Sequence, residues 1–149
     1  MRSLVSDLGS GAGAPLLEWT IASDVREIDA IVLAVTGLCE SAGFPRKACR
    51  LNVPVALTEA IANAIERGNG GDISRVVRVT ARIDDAALCV EVTDEGLGFD
   101  LEAARAVCDD ADWVEREDGR GVFLMHALMD QVESHCEQGH TVRLVLRRS

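Results

Sequence analysis

The sequence predicts an α+β domain in which helices cover one face of a mixed, mainly antiparallel sheet, a two-layer α/β sandwich. Three observations predict it. Ile28, Ile31, Val32, Val35, Leu38 and Cys39 recur at helical spacing. Two β-branched runs, Ile73 to Ile83 and Ala87 to Thr93, meet at Asp84-Asp85, a hairpin signature. The full order reads strand, helix, helix, two strands, loop, helix, two strands, which places the helices together on one side of the sheet.

Taken in order, Met1 to Pro15 are rich in Gly, Ser and Ala without periodicity and read as a flexible leader, with the domain running from 16 to 149. This leader contains Gly9-x-Gly11-x-x-Ala14, formally a dinucleotide fingerprint, but neither the strand nor the helix that the fingerprint needs is visible beside it. Leu17 to Ala22 is a short strand. Ser23 or Asp24 offers the N-cap of the first helix, which ends at Gly43 and Pro45. A second helical stretch runs from about Arg46 to Arg67 and stops at Gly68-Asn69-Gly70-Gly71. Pro54 lies inside it, so either the helix kinks there or a new one starts near Asn52. After the hairpin, Leu101 to Val107 suits a short helix and Cys108 to Asp118 is acidic and without period. Val122 to Met129 is apolar on most sides, as in a buried helix. Val132 to Cys136 and Thr141 to Leu146 make a final hairpin across Gln138-Gly139-His140.

A chain of 149 residues with 48% hydrophobic composition builds one domain with a real core. Its net charge of −10 argues against direct nucleic-acid binding, which needs clustered Lys and Arg. Cys39, Cys49, Cys89, Cys108 and Cys136 contain no C-x-x-C pair and sit among apolar residues, so they read as small buried hydrophobes in a reducing compartment. No secretory signal pattern and no membrane span is evident, and a cytoplasmic protein is expected. His126, His135, Cys136 and His140 match no standard zinc spacing.

Three segments carry candidate chemistry. In Leu57-Thr58-Glu59-Ala60-Ile61-Ala62-Asn63, Glu59 and Asn63 are four apart and project from one helical face. A carboxylate one turn from a carboxamide can set a general base beside an oxygen ligand for Mg²⁺; an ordinary polar stripe fits the same spacing. In Thr93-Asp94-Glu95-Gly96-Leu97-Gly98-Phe99 a strand runs into a turn. Its glycines let the backbone approach a flat ring, and Asp94 can accept from an exocyclic amine; a plain strand-ending turn is the alternative. In Gly119-Arg120-Gly121-Val122 a glycine pair opens a helix, where free amides favour phosphate oxygens and Arg120 adds charge. A hinge before a core helix reads the same way.

Together, Glu-x-x-x-Asn-Ala-x-x-x-Gly, Asp-x-Gly-x-Gly-Phe and Gly-x-Gly-x-x-Leu in this order resemble the Bergerat-fold ATPases over about Trp19 to Leu146. The resemblance implies ATP and Mg²⁺ as cofactors. It implies Asn63 on the metal, Asp94 on the adenine amine with Gly96 and Gly98 shaping that pocket, and Gly119 to Gly121 with Val122 at the phosphates. It also implies Thr141 near Asp94, with Arg67 beside the nucleotide where relatives commonly have His. Thr-Glu-Ala-x-x-Asn-Ala and Gly-Arg-Gly-x-Phe-Leu-Met in so short a chain look like the anti-sigma-factor serine kinases of the RsbW and SpoIIAB type. That family implies a homodimeric serine/threonine kinase whose partners are a sigma factor and a STAS-domain antagonist. Glu59 would be its catalytic base, with Arg120 and Arg116 near the transferred phosphoryl group. The alternative is a nucleotide-gated binding module that performs no transfer. His140 departs from the family, which usually has a small residue there.

Overall fold

Strands with one apolar face need a layer to bury it, and here the helices supply that layer. A computed structural model describes residues 2–6, 16–96, 117–136 and 139–149. The strands are β1 (Arg2–Ser6), β2 (Leu16–Ala22), β3 (Val76–Ile83), β4 (Ala87–Asp94), β5 (Gln131–Cys136) and β6 (His140–Arg147). They form one six-stranded sheet in the order β1-β2-β3-β4-β6-β5. Alternation sets its two faces: on β3 the side chains of Val77, Val79, Ala81 and Ile83 are buried, and on β4 those of Leu88, Val90, Val92 and Asp94.

Every pairing is antiparallel. The mixed sheet expected from the sequence is therefore corrected, among the described residues, to an antiparallel one. The register gives the reason. β4 and β5 run in the same direction across a connection that contains a helix, but β6 folds back between them. Two antiparallel pairs thus stand where one parallel pair would have been.

The leader also needs correction. Arg2–Ser6 form β1, paired with β2 in the register Leu4 opposite Glu18. Without them the outer edge of β2 would present a row of unpaired N–H and C=O groups. Residues 7–15, with the Gly9–Gly11 pattern, lie outside the described residues.

The helix layer starts at a 3₁₀ turn, Val25–Glu27, followed by α1 (Ile28–Ser41). Asp24 is the cap: its Oδ1 accepts from Arg26 N–H at 2.9 Å. Ser23 instead donates its hydroxyl to Arg75 C=O at 2.8 Å. α2 (Val53–Asn63) lies between two π-helical turns, Ala48–Asn52 and Ala64–Gly68. Pro54 thus neither breaks the helix nor restarts it. The preceding turn widens so that Val53 N–H reaches Ala48 C=O, which absorbs the bond and the space that proline takes away. α3 (Glu117–Leu128) begins five residues before the expected Val122. The expected helix over 101–107 lies outside the described residues.

One core joins the layers, with Ile31, Val35, Leu57, Ile61, Val79 and Met125 among its fully buried members. Asn52 ties α2 to α3 by donating its amide to Leu128 C=O at 2.7 Å. Cys39 and Cys49 are buried as expected, whereas Cys89 is half-buried and Cys136 is exposed because it lies on the edge strand β5. Among the described residues no helix is long and apolar enough to cross a membrane, and no cluster of His, Cys, Asp or Glu suits a metal.

Candidate functional site

Two polar clusters interrupt the apolar layer boundary, one at each end of the second half of the α2 helix. Asn63 is the last residue of α2 and is 9% exposed. Its Nδ2 is buried and has no hydrogen-bond partner among the described residues. A buried amide nitrogen left without an acceptor costs about 1–3 kcal/mol. Glu59 stands one helical turn earlier and is half-buried. Gly121 of α3 closes the cluster: a Cβ there would lie 2.5 Å from Glu59 Oε1 and 3.8 Å from Asn63 Nδ2. The bare glycine is what lets α3 approach both side chains.

The glycine segment does not open α3 as expected. The helix starts at Glu117, so the N–H groups of Glu117 to Gly119 are those of the first turn, which lack intrahelical acceptors. Of the glycine segment, Gly119 lies in this first turn, while Gly121 lies beyond it and supplies close approach instead. Val122 is fully buried in the hydrophobic core, so its side chain packs inside the protein and does not face a ligand.

The second cluster surrounds Asp94, which ends β4 and is 2% exposed. Gly96 N–H donates to Asp94 Oδ1 at 2.9 Å, and His140 Nδ1 lies 3.4 Å from Oδ2. Gly68, at the end of the α2 helix, presses against the same carboxylate, where a Cβ would fall on the carboxyl group. A Cβ on Gly96 would in turn strike the Gly68 carbonyl. From the sequence, Gly68 reads as a helix stop and as the last residue of the Glu-x-x-x-Asn-Ala-x-x-x-Gly motif. With Gly96 it is a second glycine required by close approach. A rise of 1.5 Å per residue puts Gly68 roughly 7 Å beyond Asn63 along the helix, so the two clusters lie side by side.

Asn69 holds this end of the site, and sequence reasoning missed it. Its Nδ2 donates to Ser23 Oγ at 2.9 Å and to Val76 C=O at 3.0 Å, and its Oδ1 accepts from Glu95 N–H at 2.8 Å. One amide thereby joins the helix end to the ends of β2, β3 and β4. Its place in Gly-Asn-Gly-Gly was the available signal, since Asn favours such helix ends.

Thr141 is not beside Asp94. It pairs with Thr93 across the strands, and the two hydroxyls meet at 2.9 Å. Successive residues on a strand point to opposite faces, so the residue opposite Asp94 is His140. Arg67 is exposed. Gly98 and Arg116 lie outside the described residues, as does the Arg120 side chain.

ATP and Mg²⁺ fit the residues present. The buried amide nitrogen of Asn63 is a donor that suits a phosphate oxygen, its carboxamide oxygen is of the kind Mg²⁺ takes, and Gly121 and Gly96 carry no Cβ to block the approach. Asp94 keeps acceptor capacity too, since a carboxylate has about four lone-pair sites and two are used.

A helix layer on an antiparallel sheet, with an Asn-bearing helix, an Asp-ended strand and a glycine-relieved helix converging at one end, defines a nucleotide-binding ATPase type of domain. The family model for the histidine kinase-like ATPase domain matches residues 21–146, and the chain belongs to that family. It is 32% identical over 116 residues to the serine-protein kinase RsbW of Listeria innocua serovar 6a, covering 74% of this chain and 73% of that one. It is 31% identical over 102 residues to an anti-sigma F factor of Clostridium acetobutylicum, covering 65% and 68%. Among solved structures, the SiaB–SiaC complex from Pseudomonas aeruginosa aligns with a TM-score of 0.64 over 87% of this chain and 88% of that one. At 13% identity that likeness concerns the fold alone.

Proposed function

We propose that this chain is an ATP-dependent serine/threonine protein kinase that acts as an anti-sigma factor in a partner-switching system, phosphorylating a STAS-domain antagonist. The observation that carries the kinase half is the juxtaposition of Glu59, Asn63 and the bare Gly121. The relatives named as a serine-protein kinase and an anti-sigma F factor support both halves. A homodimer working in the cytoplasm belongs to the same reading.

When bound, Mg-ATP supplies the phosphoryl group and a metal charge that offsets the phosphates. Asn63 would hold the metal through its carboxamide oxygen, and Asp94 would accept from the adenine amine. Glu59 would take the proton of the substrate hydroxyl, whose oxygen would then bond the γ-phosphorus with ADP as the leaving group. The amides of the first turn of α3 stand ready for phosphate oxygens. Positioning and charge neutralisation do most of this work.

The test is incubation with radiolabelled ATP and candidate STAS-domain proteins of the same organism. Label on a serine or threonine is expected. Glu59→Gln should lower transfer by about 10²- to 10⁴-fold, the range of a positioned base, and leave ATP affinity within about threefold. A wild-type protein that binds ATP, regulates its partner and transfers nothing would be the nucleotide-gated binding module instead.

A further inference from the structure

We infer that His140 is a positioning residue for base selection, orienting the Asp94 carboxylate as an acceptor for a purine amine. The inference rests on the nucleotide reading of the site. His140 faces the helix layer with Val142, Leu144 and Leu146, a row of positions that otherwise takes apolar side chains. It is 1% exposed, Asp94 is 2% exposed, and the two stand directly opposite in the β4–β6 register. Burial this deep is expensive for a polar ring and a carboxylate unless each satisfies the other.

The contact fixes more than position. For Asp94 to serve as an acceptor toward a ligand, the His140 Nδ1 that lies 3.4 Å from Oδ2 must be the donor of this contact, which fixes its tautomer. Gly96 N–H occupies the other oxygen at 2.9 Å. Two donors, one on each oxygen, set the carboxylate plane and leave a lone pair on each oxygen for a ligand. A carboxylate held in this way receives a donor such as the 6-amino group of adenine. It repels the 6-oxo group of an inosine or guanine base, which brings another acceptor. Gly139, at φ +107, lets the β5–β6 turn lie close to the Asp94 backbone, so the ring arrives without displacing the strand.

Two measurements test this. Heteronuclear NMR of the nucleotide-free protein should show His140 as the Nδ1-protonated tautomer; a dominant Nε2-protonated neutral ring overturns the inference. Calorimetry with ATP and inosine triphosphate then compares the wild type with His140→Asn and His140→Leu. Asn places an amide nitrogen where Nδ1 stands and should keep ATP affinity within about threefold. Leu should lose about tenfold for ATP, as for one hydrogen bond to a charged group, and nothing for inosine triphosphate. A purely structural role would weaken both nucleotides equally and leave their ratio unchanged, which overturns the inference even though the wild type binds ATP. A wild type that binds neither nucleotide overturns the nucleotide reading itself, and the base-selection role with it. Should the Leu variant not fold, the Asn variant and the wild-type tautomer still decide.

Discussion

Gly121 illustrates how one missing Cβ can matter more to chemistry than to stability. A methyl there would meet the end of the Glu59 side chain rather than backbone, so the carboxylate can swing aside at little structural cost. Alanine is also the better helix former by up to about 1 kcal/mol. Gly121→Ala is therefore expected to fold with unchanged or slightly raised stability while phosphoryl transfer falls by about tenfold or more, as misplacement of a base does. Melting curves and transfer assays on the same preparation check this. A full transfer rate would mean that Glu59 does not work from its place against Gly121.

Elements meet in this fold through few polar ties, and Asn69 is the most connected of them. Its three hydrogen bonds hold the end of the α2 helix to β2, β3 and the β4 turn that carries Asp94. Asn69→Ala removes all three and strands the Glu95 amide. At about 1 kcal/mol net per bond, the expected loss is about 3 kcal/mol. Urea unfolding should show a lower midpoint with an unchanged slope, and ATP affinity should drop as Asp94 loses its backing. The helix itself shows a second lesson. Pro54 posed a choice between kink and restart, and widening one turn resolved it without either.

At the scale of the molecule, burial in the single core reaches the titratable groups. Burial, then the neighbouring Cys49 and Glu40, push the Cys39 thiol from 9.0 up to about 12. Cys49 moves upward as well, chiefly through burial. The folded chain thus keeps protons that the unfolded chain has lost above its ordinary thiol value. Stability from these groups is full below that value and falls as pH rises from about 9 toward 12. Urea midpoints should therefore decline over this alkaline window, and Cys39→Ala should flatten part of the decline. An unchanged slope in that variant would show that Cys39 ionises as readily folded as unfolded.

Hydrophobic period and turn chemistry made the helix layer and both hairpins legible because those signals are local, while Glu59, Asn63 and Asp94 stood out through the order and spacing of the three motifs together. Four decisions needed the folded chain. The sequence run before Pro15 has no period, so only the vacant edge of β2 shows why Arg2–Ser6 become a strand. The antiparallel sheet follows from β6 inserting between β4 and β5, an event of long-range pairing. Gly68 and Asn69 read locally as a helix stop, yet they pack against Asp94 from a helix far away in sequence. Thr141 and His140 are neighbours whose roles exchange, since register with β4 decides which faces Asp94. By itself the sequence determined which residues carry the candidate chemistry. Only the tertiary structure decided which of them touch, because contact across a sheet depends on register and contact between helices on the absence of a Cβ.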